Sequence, residues 1–202
     1  MATPAEVAAL RQANAGIVAL LLRDLDAFWA SLDLSKPERV RDALVEYLPV
    51  LVAQYGELAA VVAADWFDQL RLDAVASGAI AGAASAVAFR STPAPVVPAV
   101  AVVKQVRFGA QHLFTDNPEQ TLKFLQGESQ KYALQPGRDT ITRNAGADRK
   151  AVGWQRVTRA GSCDFCQRLS RRGAVYQQAT ATFESHHACN CVAVPVWADP
   201  TT

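Results

Sequence analysis

The chain has 202 residues, half of them apolar, and a formal net charge of +1. That length suits one domain, or one with a small second unit, and the apolar content is enough for a real core. A near-neutral balance excludes a nucleic-acid coat built on global charge alone, but the charge is unevenly placed: residues 1–73 carry six basic and eleven acidic side chains, residues 138–172 nine basic and three acidic.

The opening "MATPAEVAALRQAN" has no basic stretch before an apolar core, so no secretory leader is expected. Val7, Leu10, Ile17, Leu21, Leu25 and Phe28 fall at helical spacing and predict a first helix that ends near Leu34. "SKPE" at Ser35–Glu38 has the form of a capping box with Pro37 in the first turn. A second stripe follows at Val40, Leu44, Leu48, Leu51, Tyr55 and Leu58, then Trp66, Phe67 and Leu70, with a kink expected at Pro49. The longest charge-free run, Ala74 to Phe89, is sixteen residues, short of the roughly 20 a membrane span needs. No membrane is therefore expected. Gly78 and Gly82 in that run suggest a helix face open to close packing by a partner.

"STPAPVVPAV", Ser91–Val100, reads as a semi-rigid linker because of its three prolines. Val100 to Phe114 predicts a helix. "DNPEQ" predicts another start, with Asn117 as cap, Pro118 at the first position and Gln120 closing the box. "QPGR", Gln135–Arg138, should break the chain before a short helix over Asp139–Ala147. After Lys150 the pattern turns to short β-prone pieces. Trp154, Arg156 and Thr158 alternate with Gln155, Val157 and Arg159, and "AVYQQ" and "CVAVPVW" follow. The expected class is α+β: a helical region at 1–92, a linker with helices at 93–150, and a small antiparallel β module of about three strands at 151–202.

All four cysteines and two of the three histidines lie in this last region. A module of some 45 residues seldom folds without a staple, and thiols in a reducing compartment read as metal ligands before disulfides. A structural zinc takes four ligands. The firmest pair is Cys163 and Cys166, joined by two from His186, His187, Cys189 and Cys191. Strand parity would put His187, Cys189 and Cys191 on one face, while a turn would admit His186. Unliganded thiols and disulfides are the alternatives. A redox C-x-x-C would want a thioredoxin-like βαβ setting, which the helices upstream do not supply. The basic band should face DNA or an acidic partner, with Arg143, Arg149, Arg156 and Arg171 as the foremost candidates.

The stretch "RVTRAGSCDFCQRLSRRGAVY…FESHHACNCVAVPVW" resembles the C-terminal region of the phage Mu F-like minor head proteins, the head morphogenesis family. Cys163 and Cys166 match that family's C-x-x-C, Leu169 its helix leucine, His186 its histidine, Cys189 and Cys191 its C-x-C, and Pro195 its closing proline. His187 stands where the family usually has proline. The resemblance spans Val100 to Trp197, with specific motifs only in the last 45 residues. It implies a virion structural protein of a tailed phage, made in the host cytoplasm and housed inside the head near the portal. Its partners would be the portal, the major capsid protein and packaged DNA, with no small-molecule substrate. Its work would be head assembly, DNA packaging or ejection, with the helical part docking on the larger assembly and the zinc module standing as a rigid appendage.

Two enzymatic alternatives are weaker. A capsid maturation protease would need a base, and His112 is the only histidine outside the cluster. No G-x-S-x-G accompanies it, and Ser85, Ser91 and Ser129 have no supporting context. A zinc-stapled nuclease suggested by "HHACN" would need a helix after the histidines, which Pro195 and Pro200 oppose. The chain is therefore expected not to be an enzyme.

Overall fold

The structure is a computed structural model that describes residues 2–80, 89–159, 161–173, 176, 182–183, 185–186, 189 and 191–197. It is mainly helical with a small two-stranded antiparallel sheet towards the C-terminal end. Helix α1 runs Pro4–Ala30, α2 Pro37–Ala76, α3 Ala99–Gly109 with a 3-10 turn at Ala110–Phe114, and α4 Glu119–Ala147. Strand β1 is Ala151–Val157, helix α5 Asp164–Ser170 and strand β2 Val192–Trp197.

The capping box forms at the start of α1 and not at Ser35. Thr3 Oγ1 accepts from Glu6 N at 3.3 Å, and the Glu6 carboxylate accepts from Thr3 N. Ser35 instead donates to Asp33 Oδ1 at 2.6 Å, leaving Lys36 as a cap without a side-chain bond. At α4 the cap is likewise Pro118 with no side-chain bond, so the helix begins where expected but without the Asn117 cap. Helix α2 runs through Pro49 from Pro37 to Ala76. It ends where Gly78 takes φ +81° and Ile80 N reaches back to Ala74 O at 3.0 Å. The face sought at Gly82 lies outside the described residues.

The expected break at "QPGR" is instead the middle of α4. Pro136 and Gly137 are both buried there, against the small-residue face of α2 formed by Gly56, Ala59, Ala60 and Ala63. A Cβ on Gly137 would sit 2.9 Å from Ala59 O, and one on Gly56 3.3 Å from Pro136 Cγ. The local cost of glycine and proline in a helix is thus offset by a close helix crossing. Gly137→Val is expected to destabilise the chain by about 1–3 kcal/mol, measured by urea unfolding, because backbone cannot yield as a flexible side chain would.

The proline-rich segment is not a free linker. It lies extended between α2 and α4 and is tied to both. Ser91 N donates to Asp68 Oδ1 at 2.9 Å, and Ser91 Oγ donates to Ala64 O at 2.9 Å. Thr92 N donates to Asn144 Oδ1 at 2.9 Å while Asn144 Nδ2 returns a bond to Thr92 O at 2.9 Å. Ala94 N donates to Thr140 Oγ1 at 2.8 Å. Prolines remove three N–H groups from the stretch, and side chains of the flanking helices satisfy these others.

Two apolar clusters result. One joins Ile17, Leu21, Leu25 and Trp29 of α1 to Leu44, Leu48 and Val52 of α2, Val102 and Val106 of α3, and Leu125 and Leu134 of α4. The other joins Val7, Leu10, Phe67, Leu70 and Ile141 to Trp154, Cys166, Phe183, Cys189, Cys191, Val194 and Trp197. The residues after 150 are therefore seated in the helical body, not held off it as an appendage. Helices α1 and α2 are long and apolar enough to cross a membrane by length and composition alone. Core helices pass the same test, and both lend their apolar faces to these clusters.

The sheet pairs β1 with β2 antiparallel, Trp154 opposite Pro195 and Val157 opposite Val192. Pro195 is tolerated because, among the described residues, β2 pairs with β1 alone and keeps one unpaired edge. Among the described residues, Tyr176 adds an isolated antiparallel bridge to Trp154. The other residues of "AVYQQ" lie outside the described residues, apart from Tyr176 itself.

Candidate metal centre

Strand β1 delivers the chain to a turn in which Ser162 N donates to Arg159 O at 3.2 Å, and Cys163 then caps α5. The C-x-x-C spacing places Cys163 at the cap and Cys166 one turn inside, the first exposed and the second buried. Tyr176 donates to Leu169 O at 3.0 Å and so fastens α5 to the sheet. On the far side of the site, Cys189 N donates to His186 O at 3.1 Å. Cys191 stands immediately before β2.

Five side chains converge. His186 Nε2 lies 3.0 Å from Cys163 Sγ and 3.3 Å from Cys166 Sγ. Cys166 Sγ lies 3.9 Å from Cys189 Sγ. The donors form two overlapping groups, Cys163–Cys166–His186 and Cys166–Cys189–Cys191, each with its donor atoms within 4.8 Å of one another. Zinc–sulfur bonds of about 2.3 Å in a tetrahedron hold two sulfurs roughly 3.8 Å apart, so the 3.9 Å between Cys166 and Cys189 suits two ligands of one small ion, with Cys166 common to both groups. The donor set, thiolate with one imidazole, fits zinc among the common divalent metals. All four cysteines are free thiols, and Cys166, Cys189 and Cys191 are buried. His187 lies outside the described residues.

The thiols are electrostatically unlike. Hydrogen bonding from Cys191 holds Cys189 down to about 4, with the Arg138 charge helping. Burial pushes Cys166 up to about 11. Cys191, as the donor to Cys189, is pushed up. Cys163 is lowered, first by the backbone at Cys166. The cluster thus sets Cys189 and Cys163, shifted towards thiolate, beside Cys166 and Cys191, whose deprotonation a bound cation would favour.

Its surroundings are built from α4 and three aromatic rings. Buried Arg138 donates through Nη2 to Cys189 O and through Nε to Cys191 O at 3.4 Å. Gln135 Nε2 donates to Phe183 O at 3.1 Å and Gln135 Oε1 accepts from Ser185 Oγ at 3.0 Å. Trp154 stacks on Tyr176 with centroids 4.6 Å apart and packs against Phe183 at 5.6 Å. Arg156 does not face solvent. It is 3 % exposed, its guanidinium lies 3.7 Å above the Phe183 ring, and Nη1 reaches Cys166 Sγ at 3.8 Å. Its place in the basic band is corrected accordingly: it shields the cluster and is not available to phosphate. Arg143, Arg149 and Arg171 are exposed as expected. Among the described residues no serine hydrogen bonds to His112. Ser91 is bound to α2, Ser129 Oγ is buried without a partner, and Ser85 lies outside the described residues.

The cluster could hold a metal ion, with Cys166, Cys189 and Cys191 buried and Cys163 and His186 exposed at its rim. No curated protein and no solved structure matches the chain. A family model described as VG15 protein matches residues 1–202, the whole length, and the chain therefore belongs to the VG15 protein family, a viral family of phage proteins.

Proposed function

We propose that the chain is a minor structural protein of a tailed-phage head, acting at the portal vertex or inner shell in head assembly, DNA packaging or ejection. In this reading it is not an enzyme, and zinc is its structural cofactor. The observation that carries the proposal is the donor cluster of Cys163, Cys166, His186, Cys189 and Cys191 in a phage-family chain, with Cys166, Cys189 and Cys191 buried. A zinc held by four protein ligands serves folding rather than turnover, and we read this cluster as such a site. The likeness to Mu F-like minor head proteins, drawn on those same residues, supplies the location.

Mass spectrometry of purified, washed virions tests the location. The chain is expected there in small copy number, and full-length tagged chain should retain portal or major capsid protein. Absence from virions overturns the reading. Casein and plasmid-nicking assays of the zinc-loaded chain are expected to show no turnover.

Binding of packaged DNA would fall to the exposed arginines. Charge reversal at Arg143, Arg149 and Arg171 together should weaken DNA retention and flatten its salt dependence, by about one power of salt for each phosphate no longer neutralised. Arg156 should be excluded from that set.

A further inference from the structure

We propose that a cavity beside the thiol cluster binds a phosphate group, and this does not depend on the head assignment. The cavity has a volume of about 250 Å³ and is lined by Arg11 and Asn14 of α1, Arg138 of α4, Arg159 after β1, and Cys191. Among the described residues no carboxylate lines it, and none of the three arginines is ion-paired.

Two of these guanidinium groups carry buried nitrogens with nothing to bond. Arg138 is 4 % exposed, and its two carbonyl bonds use Nε and Nη2 and leave Nη1 without a partner. Arg11 donates from Nη2 to Val157 O at 3.1 Å and leaves Nε buried without one. A buried charged donor left unsatisfied is costly, and two at one cavity call for an acceptor in it. Three arginines lining one cavity from separate parts of the chain offer more donors than the two oxygens of a carboxylate accept. A tetrahedral oxyanion has the oxygens and the charge to answer them.

Calorimetry on the full, zinc-loaded chain tests this with inorganic phosphate, a short duplex oligonucleotide and a polyglutamate peptide, all at matched ionic strength. Phosphate is expected to bind. Arg11→Gln and Arg159→Gln should each weaken binding at least about tenfold, with zinc content unchanged. Arg138→Gln is not needed, which matters because its loss would disturb the cluster. If the oligonucleotide competes with phosphate, the group is taken from nucleic acid; if it does not, the site takes free phosphate. Either result supports the site. Failure of both probes, binding by polyglutamate alone, or phosphate affinity unchanged in the Arg11→Gln/Arg159→Gln double variant overturns it.

Discussion

Chelating zinc from the purified chain should abolish its cooperative unfolding transition, with Trp154 and Trp197 fluorescence moving to the red. A structural zinc contributes on the order of 10–16 kcal/mol of apparent binding free energy at neutral pH. Whole domains are stable by about 5–15 kcal/mol, so the loss is as large as the total. The damage should spread beyond residues 151–197, because Cys166, Cys189 and Cys191 share an apolar cluster with Val7, Leu10, Phe67 and Ile141. Among single changes, Cys166→Ser should be the worst, since Cys166 belongs to both donor groups and is buried. Cys163→Ser should be milder, being at the exposed rim. His186→Ala should lower metal retention. Elemental analysis of fresh, reduced protein should find about one zinc per chain. No metal in that sample, or full occupancy in Cys166→Ser, would defeat the assignment.

Much of this site is legible in the sequence because metal ligands are confined to few residue types at short spacings. Cys163, Cys166, Cys189 and Cys191 can be named from the sequence, and a turn at His186–Cys189 brings His186 in. The arginines mislead for an identifiable reason: their charge suggests a solvent-facing band, while their position in the pattern says otherwise. Arg156 shares the parity of Trp154 on β1, and that face is the buried one. Arg138 stands in the stripe Leu134, Arg138, Ile141, Ala145, all buried on one side of α4. A cation at an apolar position of a stripe is the available signal.

The helices show a similar limit. The large-residue stripe of α2 gives way after Tyr55 to Gly56, Ala59, Ala60 and Ala63, where the buried face is marked by smallness. Leu58, expected inside, is 42 % exposed beside them. Pro136 and Gly137 look like a break when read locally, and become sensible only once α2 is seen to cross α4 closely at that point. Likewise, three prolines signal a linker until Asn144 and Thr140 are seen to bind it. These are tertiary facts, and a local pattern does not contain them.

Removing either half of the Arg71–Asp148 pair should cost about 3–5 kcal/mol, as an uncompensated charge is left in the interior. Arg71 Nε donates to Asp148 Oδ2 at 2.8 Å, both side chains being under 5 % exposed. Trp197 Nε1 donates to the same oxygen at 2.9 Å and Lys150 N to Oδ1 at 3.0 Å. One carboxylate thereby ties α2, the end of α4 and β2. Burial by itself would raise the Asp148 pKa, but the bonds from Arg71 and Trp197 outweigh it and hold the group below the ordinary carboxylate range. A depressed folded-state value means the unfolded chain takes up the proton first. The pair therefore contributes in full above the unfolded value of about 3.9, and its contribution is lost as pH falls through the lower folded value. Urea unfolding should show Asp148→Asn well below the wild type at pH 7, with the gap narrowing on acidification below that window. Arg71→Met with Asp148→Leu should recover much of the single-variant loss, since a packed apolar pair carries no desolvation penalty. If each single change costs under about 1 kcal/mol, the pair behaves like a surface salt bridge, and its role as the tie between the helices and the sheet is wrong.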